Sequence, residues 1–271
     1  MKKLVMIMAI GAVAVSLAAG TCFAEKIVMA GSTTVLPIAQ KTAEVFMDEN
    51  SGVDISVRGG GSSVGITALI DGNCDIADSS RPIKDTEIQK AASNNRDPVA
   101  HIVALDGIAV VINKSNPISK LSNKQVRDIY TGKITDWAQL GGKPGKIVVV
   151  SRDTSSGTFE AFGELIMKKE KVIPGALMQA SNQGVAQIIA QTPGAIGYVG
   201  LGFMSGELKP VEIDGVMPSN ETVLSGKYPV TRPLFMYSNG KPQGIIKEYL
   251  DFVKSPKGQE LVETQGYVGL K

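Results

Sequence analysis

Four short runs carry most of the chemistry this chain can offer. They are Gly31-Ser32-Thr33-Thr34, Gly59-Gly60-Gly61-Ser62-Ser63-Val64-Gly65, Asp78-Ser79-Ser80-Arg81 and Arg152-Asp153-Thr154-Ser155-Ser156-Gly157-Thr158. Hydroxyls and backbone N–H groups dominate them, with one guanidinium in each of the last two. Such groups donate hydrogen bonds, so the chemistry they share is the holding of an anion. Each run follows a segment rich in Val and Ile, and three of them open a segment of helical period. A helix start leaves its first N–H groups without intrahelical partners and is the positive end of the helix dipole. Glycine and small hydroxyl residues at that position leave those donors open to a ligand. Ser and Thr also cap helices for their own sake. A self-sufficient cap often has Glu or Gln three residues further on, whereas Ser32, Ser62 and Ser156 are followed at that spacing by Val35, Gly65 and Phe159. The candidate donors are therefore Ser32, Thr33, Thr34, Ser62, Ser63, Ser80, Ser155, Ser156, Gly157 and Thr158. Arg152 and Arg81 are the candidate charged forks.

Catalytic readings of the same residues are thinner. Gly61-Ser62-Ser63-Val64-Gly65 fits the G-x-S-x-G pattern of a nucleophile elbow, but a serine nucleophile needs a His oriented by a carboxylate. His101 is the single histidine of the chain, so a secreted serine hydrolase would have to use Ser63 with His101. Cys74 with His101 makes an equally sparse dyad. No Gly-Lys-Ser/Thr follows the glycine run, so it is not a nucleotide P-loop. One His and two Cys leave almost nothing for a metal centre. No cofactor is expected.

The elements that must position these residues alternate along the chain. Strands are expected over 26–30, 54–57, 75–79, 102–113, 146–151, 195–199 and 229–237. Between them Val35, Ile38, Ala39, Thr42, Val45 and Phe46 share one helical face, as do Phe159, Phe162 and Ile166, and Val185, Ile188 and Ile189. Helices over 243–254 and 256–264 close the chain. Strands alternating with helices predict an α/β protein with mainly parallel sheets. In open sheets of this class ligands sit beyond the carboxyl ends of strands, where the four runs fall. The run HIVALDGIAVVIN is long for one strand and carries Asp106-Gly107 in its middle, so it reads as crossing between two lobes, with TRPLFMYS as the return crossing. The expected division is 25–106 plus 232–271 as lobe 1 and 107–231 as lobe 2, with a ligand cleft between them.

The N-terminus alters the charge arithmetic. Lys2-Lys3, a 17-residue apolar run and the small residues Cys22 and Ala24 form the pattern of a cleaved secretory signal over 1–24. Thr21 before Cys22 disfavours a lipoprotein box. The whole chain has 28 Lys+Arg against 26 Asp+Glu, a net charge of +2. Cleavage would remove Lys2 and Lys3 and no acid, leaving a neutral chain without the concentrated basic charge of a nucleic-acid binder. It would also remove Cys22, so Cys74 has no intrachain disulfide partner and is expected in the core.

The ordered set GSTTVLP, GGGSSVG, DIADSSR, DGIAVVIN, IYTGKITDWAQLGG and SRDTSSGTFEAF resembles the phosphate-binding proteins of Pst-type ABC importers, the PstS family, over essentially the whole chain beyond the signal. The resemblance implies a type II periplasmic binding protein fold, inorganic phosphate in the cleft, and delivery to a membrane permease and ATPase from the periplasm, without catalysis. A monomer is expected. By position, Thr33, Thr34 and Ser62 would donate, Arg152 would supply the charge, and Ser156, Gly157 and Thr158 would donate from their helix start. Better-known members have an Asp that accepts the proton of monohydrogen phosphate where this chain has Ser80. Asp106, or alternatively Asp78, is the expected replacement, with Asp106 favoured because the cleft adjoins the crossing strands. Loss of that acceptor leaves open a receptor for another tetrahedral oxyanion such as sulfate.

Overall fold

The structure, a computed structural model, describes residues 24–270. The expected signal segment therefore lies outside the described residues apart from Ala24. Among the described residues no helix is long and apolar enough to cross a membrane.

The chain runs β1 (Glu25–Gly31), α1 (Leu36–Glu49), β2 (Val53–Gly59), α2 (Ser62–Asp71), β3 (Ile76–Ser79), α3 (Asp85–Ser93), β4 (Pro98–Asn113), β5 (Lys120–Leu121), α4 (Asn123–Tyr130), β6 (Val148–Arg152), α5 (Gly157–Leu165), β7 (Leu177–Gln179), α6 (Asn182–Gln191), β8 (Ala195–Gly200), β9 (Leu208–Pro210), β10 (Glu212–Ile213), α7 (Asn220–Leu224), β11 (Thr231–Asn239), α8 (Gly244–Lys254) and α9 (Pro256–Thr264). This is the α/β alternation expected from the sequence. One continuous sheet has the order β2-β1-β3-β11-β4-β8-β6-β7, with β9 also on β4. Its outer parts are parallel: β2-β1-β3 at one end and β8-β6-β7 at the other. The centre is antiparallel, because β4 and β11 run opposite ways.

The sixteen residues of β4 span both halves of the molecule. Its first part pairs with β11, from Pro98↔Asn239 to Gly107↔Thr231. From Ile108 to Ile112 it pairs with β8 instead. The buried apolar residues divide in the same way. One cluster gathers Ile27, Met29, Ile38, Phe46, Leu234 and Tyr249 with their neighbours, and another gathers Ile108, Val110, Ile129, Phe162, Ile189 and Tyr198 with theirs. Burial of such side chains is the main force holding each lobe, at about 1.5–3 kcal/mol apiece. Cys74 is buried as expected, and burial pushes its thiol up to about 12.

Local signals set the starts of the helices that follow β1, β2, β6 and β7. Pro37 fixes the first turn of α1. Gly61 precedes α2 at φ 100°, a region that favours glycine. Ser156 and Ser181 each cap their helix through the side chain, at α5 and α6.

Candidate anion-binding site

Arg152 ends β6 with its side chain 1% exposed. Its Nε donates to the Gln179 carbonyl at 3.0 Å, and its Nη2 donates to the Ala180 carbonyl at 3.0 Å and to Thr33 Oγ1 at 3.1 Å. No carboxylate pairs with it among the described residues, and its Nη1 is buried without a hydrogen-bond partner. Burial pushes the guanidinium pKa down to about 10, with Tyr198 and Asp153 opposing the fall and Arg232 adding to it. The Arg152 N–H is also held by Tyr198 Oη at 3.2 Å, and that phenol stacks on Phe162 with ring centroids 3.9 Å apart.

Around this fork the two lobes touch through hydroxyls. Thr34 Oγ1 and Thr158 Oγ1 lie 2.9 Å apart, from the start of lobe 1 and the first turn of α5. Asn182, fully buried at the head of α6, donates from Nδ2 to Thr33 Oγ1 at 3.3 Å and to Thr34 Oγ1 at 3.0 Å. Its Oδ1 accepts from Gly200 N at 3.2 Å, which fixes which end of the amide is which. Thr33 Oγ1 thus accepts from both Arg152 and Asn182, and its own proton is left to donate. Tyr267 Oη bonds the Thr34 carbonyl at 2.7 Å and pins this turn from the C-terminal segment.

A second group adjoins it. Ser62 Oγ accepts from Ser80 N at 3.0 Å and lies 3.3 Å from Ser80 Oγ. A Cβ on Gly157 would meet Ser62 Oγ at 2.3 Å and Ser80 Oγ at 2.8 Å. Gly157 therefore lets the α5 start close directly onto these two serines. The N–H groups of Gly157 and Thr158 belong to the first turn, which no earlier helical carbonyl can serve.

Other expected residues are placed differently. Ser32 Oγ accepts from Thr34 N and Val35 N, and Ser156 Oγ accepts from Phe159 N, so both hydroxyls shape their own turns. Ser155 Oγ lies 3.0 Å from the Gly60 carbonyl, which shares the hydroxyl's one proton with Asp153 Oδ1, and the Ser155 carbonyl accepts from Ser63 N at 3.1 Å, joining the lobes at the rim. Ser63 Oγ bonds Glu160 and Arg81. Arg81 is buried, but its fork is turned onto Glu87, with Nη2 at 2.6 Å and Nη1 at 2.8 Å, and its Nε lies 3.0 Å from Glu160. Burial would lower the Arg81 pKa, and the Glu87 hydrogen bond with the nearby Glu160 and Glu87 charges outweighs it to give a net rise.

Asp106 faces Arg232, which the sequence reading did not single out. Arg232 Nε and Nη2 reach Asp106 Oδ2 at 3.0 and 2.8 Å, and Leu201 N reaches Oδ1 at 2.9 Å. Arg232 Nη1 also donates to the Ser80 carbonyl at 3.2 Å, and Nη2 to Thr34 Oγ1 at 3.3 Å. Burial raises the Asp106 pKa above the usual carboxylate value, and Arg232 opposes the rise. Asp78 is buried with both oxygens unpartnered among the described residues, and burial raises its pKa well above the ordinary value. Asp153 Oδ1 accepts from Ser155 N and Oγ. His101 Nε2 bonds Ser238 Oγ at 2.8 Å, so the two members of the hydrolase alternative, Ser63 and His101, are engaged with other partners.

The site is thus a buried, donor-rich junction of two lobes, with one guanidinium that lacks a protein anion. Comparison with known proteins agrees with that architecture. Residues 17–257 match the family model described as a PBP superfamily domain. The chain is 35% identical over 242 residues to the phosphate-binding protein PstS of Bacillus subtilis (strain 168), covering 89% of this chain and 79% of that protein. It is 30% identical to the phosphate-binding protein PstS of Borreliella burgdorferi, with 91% of each covered. A putative phosphate ABC transporter substrate-binding protein with bound phosphate from Clostridium perfringens superposes with a TM-score of 0.86 at 32% identity, covering 91% of this chain and all of that one. An ABC-type phosphate transport receptor from Vibrio cholerae gives 0.75 at 31%, covering 90% and 100%. The chain belongs to the PBP superfamily and, within it, to the PstS family of phosphate-binding proteins.

Proposed function

We propose that this chain is an exported solute-binding protein that captures inorganic phosphate between its lobes and delivers it to the permease and ATPase of an ABC importer, working as a periplasmic monomer without catalysis of its own. The observation that carries the reading is Arg152. A buried guanidinium without a counter-ion is costly, and here the missing charge falls among hydroxyls and the first-turn N–H groups of α5. A tetrahedral dianion at that junction supplies the charge and accepts from Arg152 Nη1, the Thr33 hydroxyl and the α5 start. The lobes proposed to close on it are 25–106 with 232–271, and 107–231, hinged where β4 and β11 cross.

The carboxylates Asp106, Asp153 and Glu160 already serve protein donors. Asp106 is assigned to holding Arg232, which in turn holds Thr34. The proton of monohydrogen phosphate is accepted in this reading by the Ser62–Ser80 hydroxyl pair. A hydroxyl both donates and accepts, so the pair discriminates less sharply against unprotonated sulfate than a carboxylate would. Titration calorimetry with phosphate, sulfate and arsenate tests the reading. One-to-one phosphate uptake with weaker sulfate binding supports it. Preference for sulfate would make the protein a sulfate receptor, and no uptake of any of the three would end the proposal. Ester hydrolysis abolished by Ser63→Ala would favour the serine-hydrolase alternative.

A further inference from the structure

Glu160 lies on α5, three residues after Gly157, and its carboxylate leaves lobe 2 altogether. Oε2 lies 3.0 Å from Arg81 Nε and 2.6 Å from Lys84 Nζ, and Oε1 accepts from Ser63 Oγ at 3.2 Å. All three partners belong to the other lobe. Among the described residues, the ion pairs that join the two lobes away from the crossing strands are these two, and both use Glu160. The receiving side is built beforehand. Glu87 grips Arg81 through two hydrogen bonds and takes the Lys84 N–H at 2.9 Å. That grip fixes the guanidinium with its Nε 3.0 Å from Glu160 Oε2, an ion-pair contact without hydrogen-bond geometry. Arg81 is 4% exposed and Glu160 19%, so the pair is largely out of water, where it is stronger than a surface pair. Beside it a cavity of about 360 Å³ is lined by Arg81, Lys84, Glu160, Leu165, Arg232 and Pro233. Its walls also carry Pro82, Ile83 and Ala161, so on that flank the Glu160 ion pairs span the gap beside an apolar-lined cavity.

We propose that Glu160 is the positioning residue that latches the closed cleft: it touches no anion but fixes the α5 start against lobe 1, and so governs how slowly the bound anion is released. This rests on the phosphate-binding reading above and adds to it the side chain that sets residence time. The pairs form only when α5 reaches lobe 1, so their free energy acts on the closed state alone and appears in the release rate. The four charges Glu87, Arg81, Glu160 and Lys84 cancel, so the latch adds no net repulsion to an arriving anion.

The test is the rate of phosphate association and release in wild type, Glu160→Gln, Lys84→Met and the double variant. It is followed by rapid mixing with radiolabelled phosphate at low and high salt. Glu164→Gln, on an exposed position of the same helix, serves as control. Glu160→Gln is expected to release phosphate roughly tenfold to a hundredfold faster, with association unchanged within about twofold. Lys84→Met should move release in the same direction, with the double variant less than additive. Salt should speed release from wild type and leave Glu160→Gln nearly unaffected. Release from Glu160→Gln within twofold of wild type at low salt overturns the latch, as does an equal effect of Glu164→Gln. Failure of wild type to take up phosphate at all would overturn the binding reading and the latch together, an outcome visible before any variant is compared.

Discussion

Replacing Arg152 by Met separates a binding group from a structural one, because a binding role predicts little change in stability and a structural role a large loss. The side chain is 1% exposed and its Nη1 has no protein partner. That group carries two N–H donors, each worth about 1.5–3 kcal/mol to an anion. The variant should therefore lose about 3–6 kcal/mol of phosphate binding, roughly a hundredfold to ten-thousandfold or more in affinity. Stability of the anion-free protein follows from two opposing contributions. Burial has pushed the guanidinium down to about 10, which represents about 3 kcal/mol against the charged form. Met removes that penalty. It also removes three hydrogen bonds, to Gln179, Ala180 and Thr33, each with a net worth of about 0.5–1.5 kcal/mol. The contributions cancel to within about 2 kcal/mol. Calorimetry with phosphate gives the first quantity, and urea unfolding of extensively dialysed protein gives the second. An affinity loss below tenfold, or a stability loss beyond about 4 kcal/mol, would refute the argument and make Arg152 a structural residue.

Three further outcomes can be measured. Gly157→Ala puts a methyl 2.3 Å from Ser62 Oγ, so it should weaken phosphate binding by about 1–3 kcal/mol while leaving the urea midpoint of anion-free protein in place; unchanged affinity would show that the lobes do not need this approach. Arg232→Met strands the buried Asp106 carboxylate and should cost about 3–5 kcal/mol of stability, most of it recovered by adding Asp106→Asn; equal destabilisation in both variants would argue against the ion pair. Asp78 has its folded-state pKa raised above its unfolded value by burial, so the folded protein keeps a proton that the unfolded chain loses. Its contribution is most favourable below the ordinary carboxylate pKa and is lost as pH rises toward the folded value. Asp78→Asn should therefore gain on wild type with rising pH, by about 1.4 kcal/mol per pH unit from near pH 4 until Asp78 ionises, and a pH-independent difference in urea unfolding would contradict it.

Sequence and site correspond where the information is local. A hydroxyl run after a Val/Ile segment marks a strand end turning into a helix, and Thr33, Thr34, Ser62 and Thr158 all stand at such turns. Asp106-Gly107 in mid-strand marks the place where β4 changes partner from β11 to β8. What stayed hidden depends on register between distant segments. Arg232 lies opposite Asp106, 126 residues away, and nothing inside TRPLFMYS announces that pairing. Asn182 follows the Ser181 cap and reads as part of it, although its amide organises both threonines. Glu160 is an acid in the first turn of a helix, where the dipole alone would favour one. Arg81 next to Ser80 suggested an anion fork, and Glu87, six residues on, has taken it. The strands β5, β7, β9 and β10 are two or three residues long, too short to show a period.

The charge arithmetic and the burial pattern point to the same design. If 1–24 is removed, the remaining chain is formally neutral, so steering by net charge contributes little to capture. Within the junction the charges are nearly all paired: Asp106 with Arg232, Glu87 with Arg81, Glu160 with Arg81 and Lys84. These pairs lie beside or beneath the donor cluster, while of the buried charged side chains among the described residues Arg152 and Asp78 are left without an ion-pair partner. In the proposed site a ligand would be selected by what one unpaired guanidinium and the neighbouring hydroxyls and helix-start N–H groups can all satisfy at once, which is a compact anion with several acceptor oxygens. A singly charged carboxylate offers two oxygens in one plane and leaves donors of the opposite lobe unserved. On the proposed reading a tetrahedral oxyanion reaches both lobes, and closing around it is favourable because charge-assisted bonds to it replace the interlobe hydroxyl contact between Thr34 and Thr158.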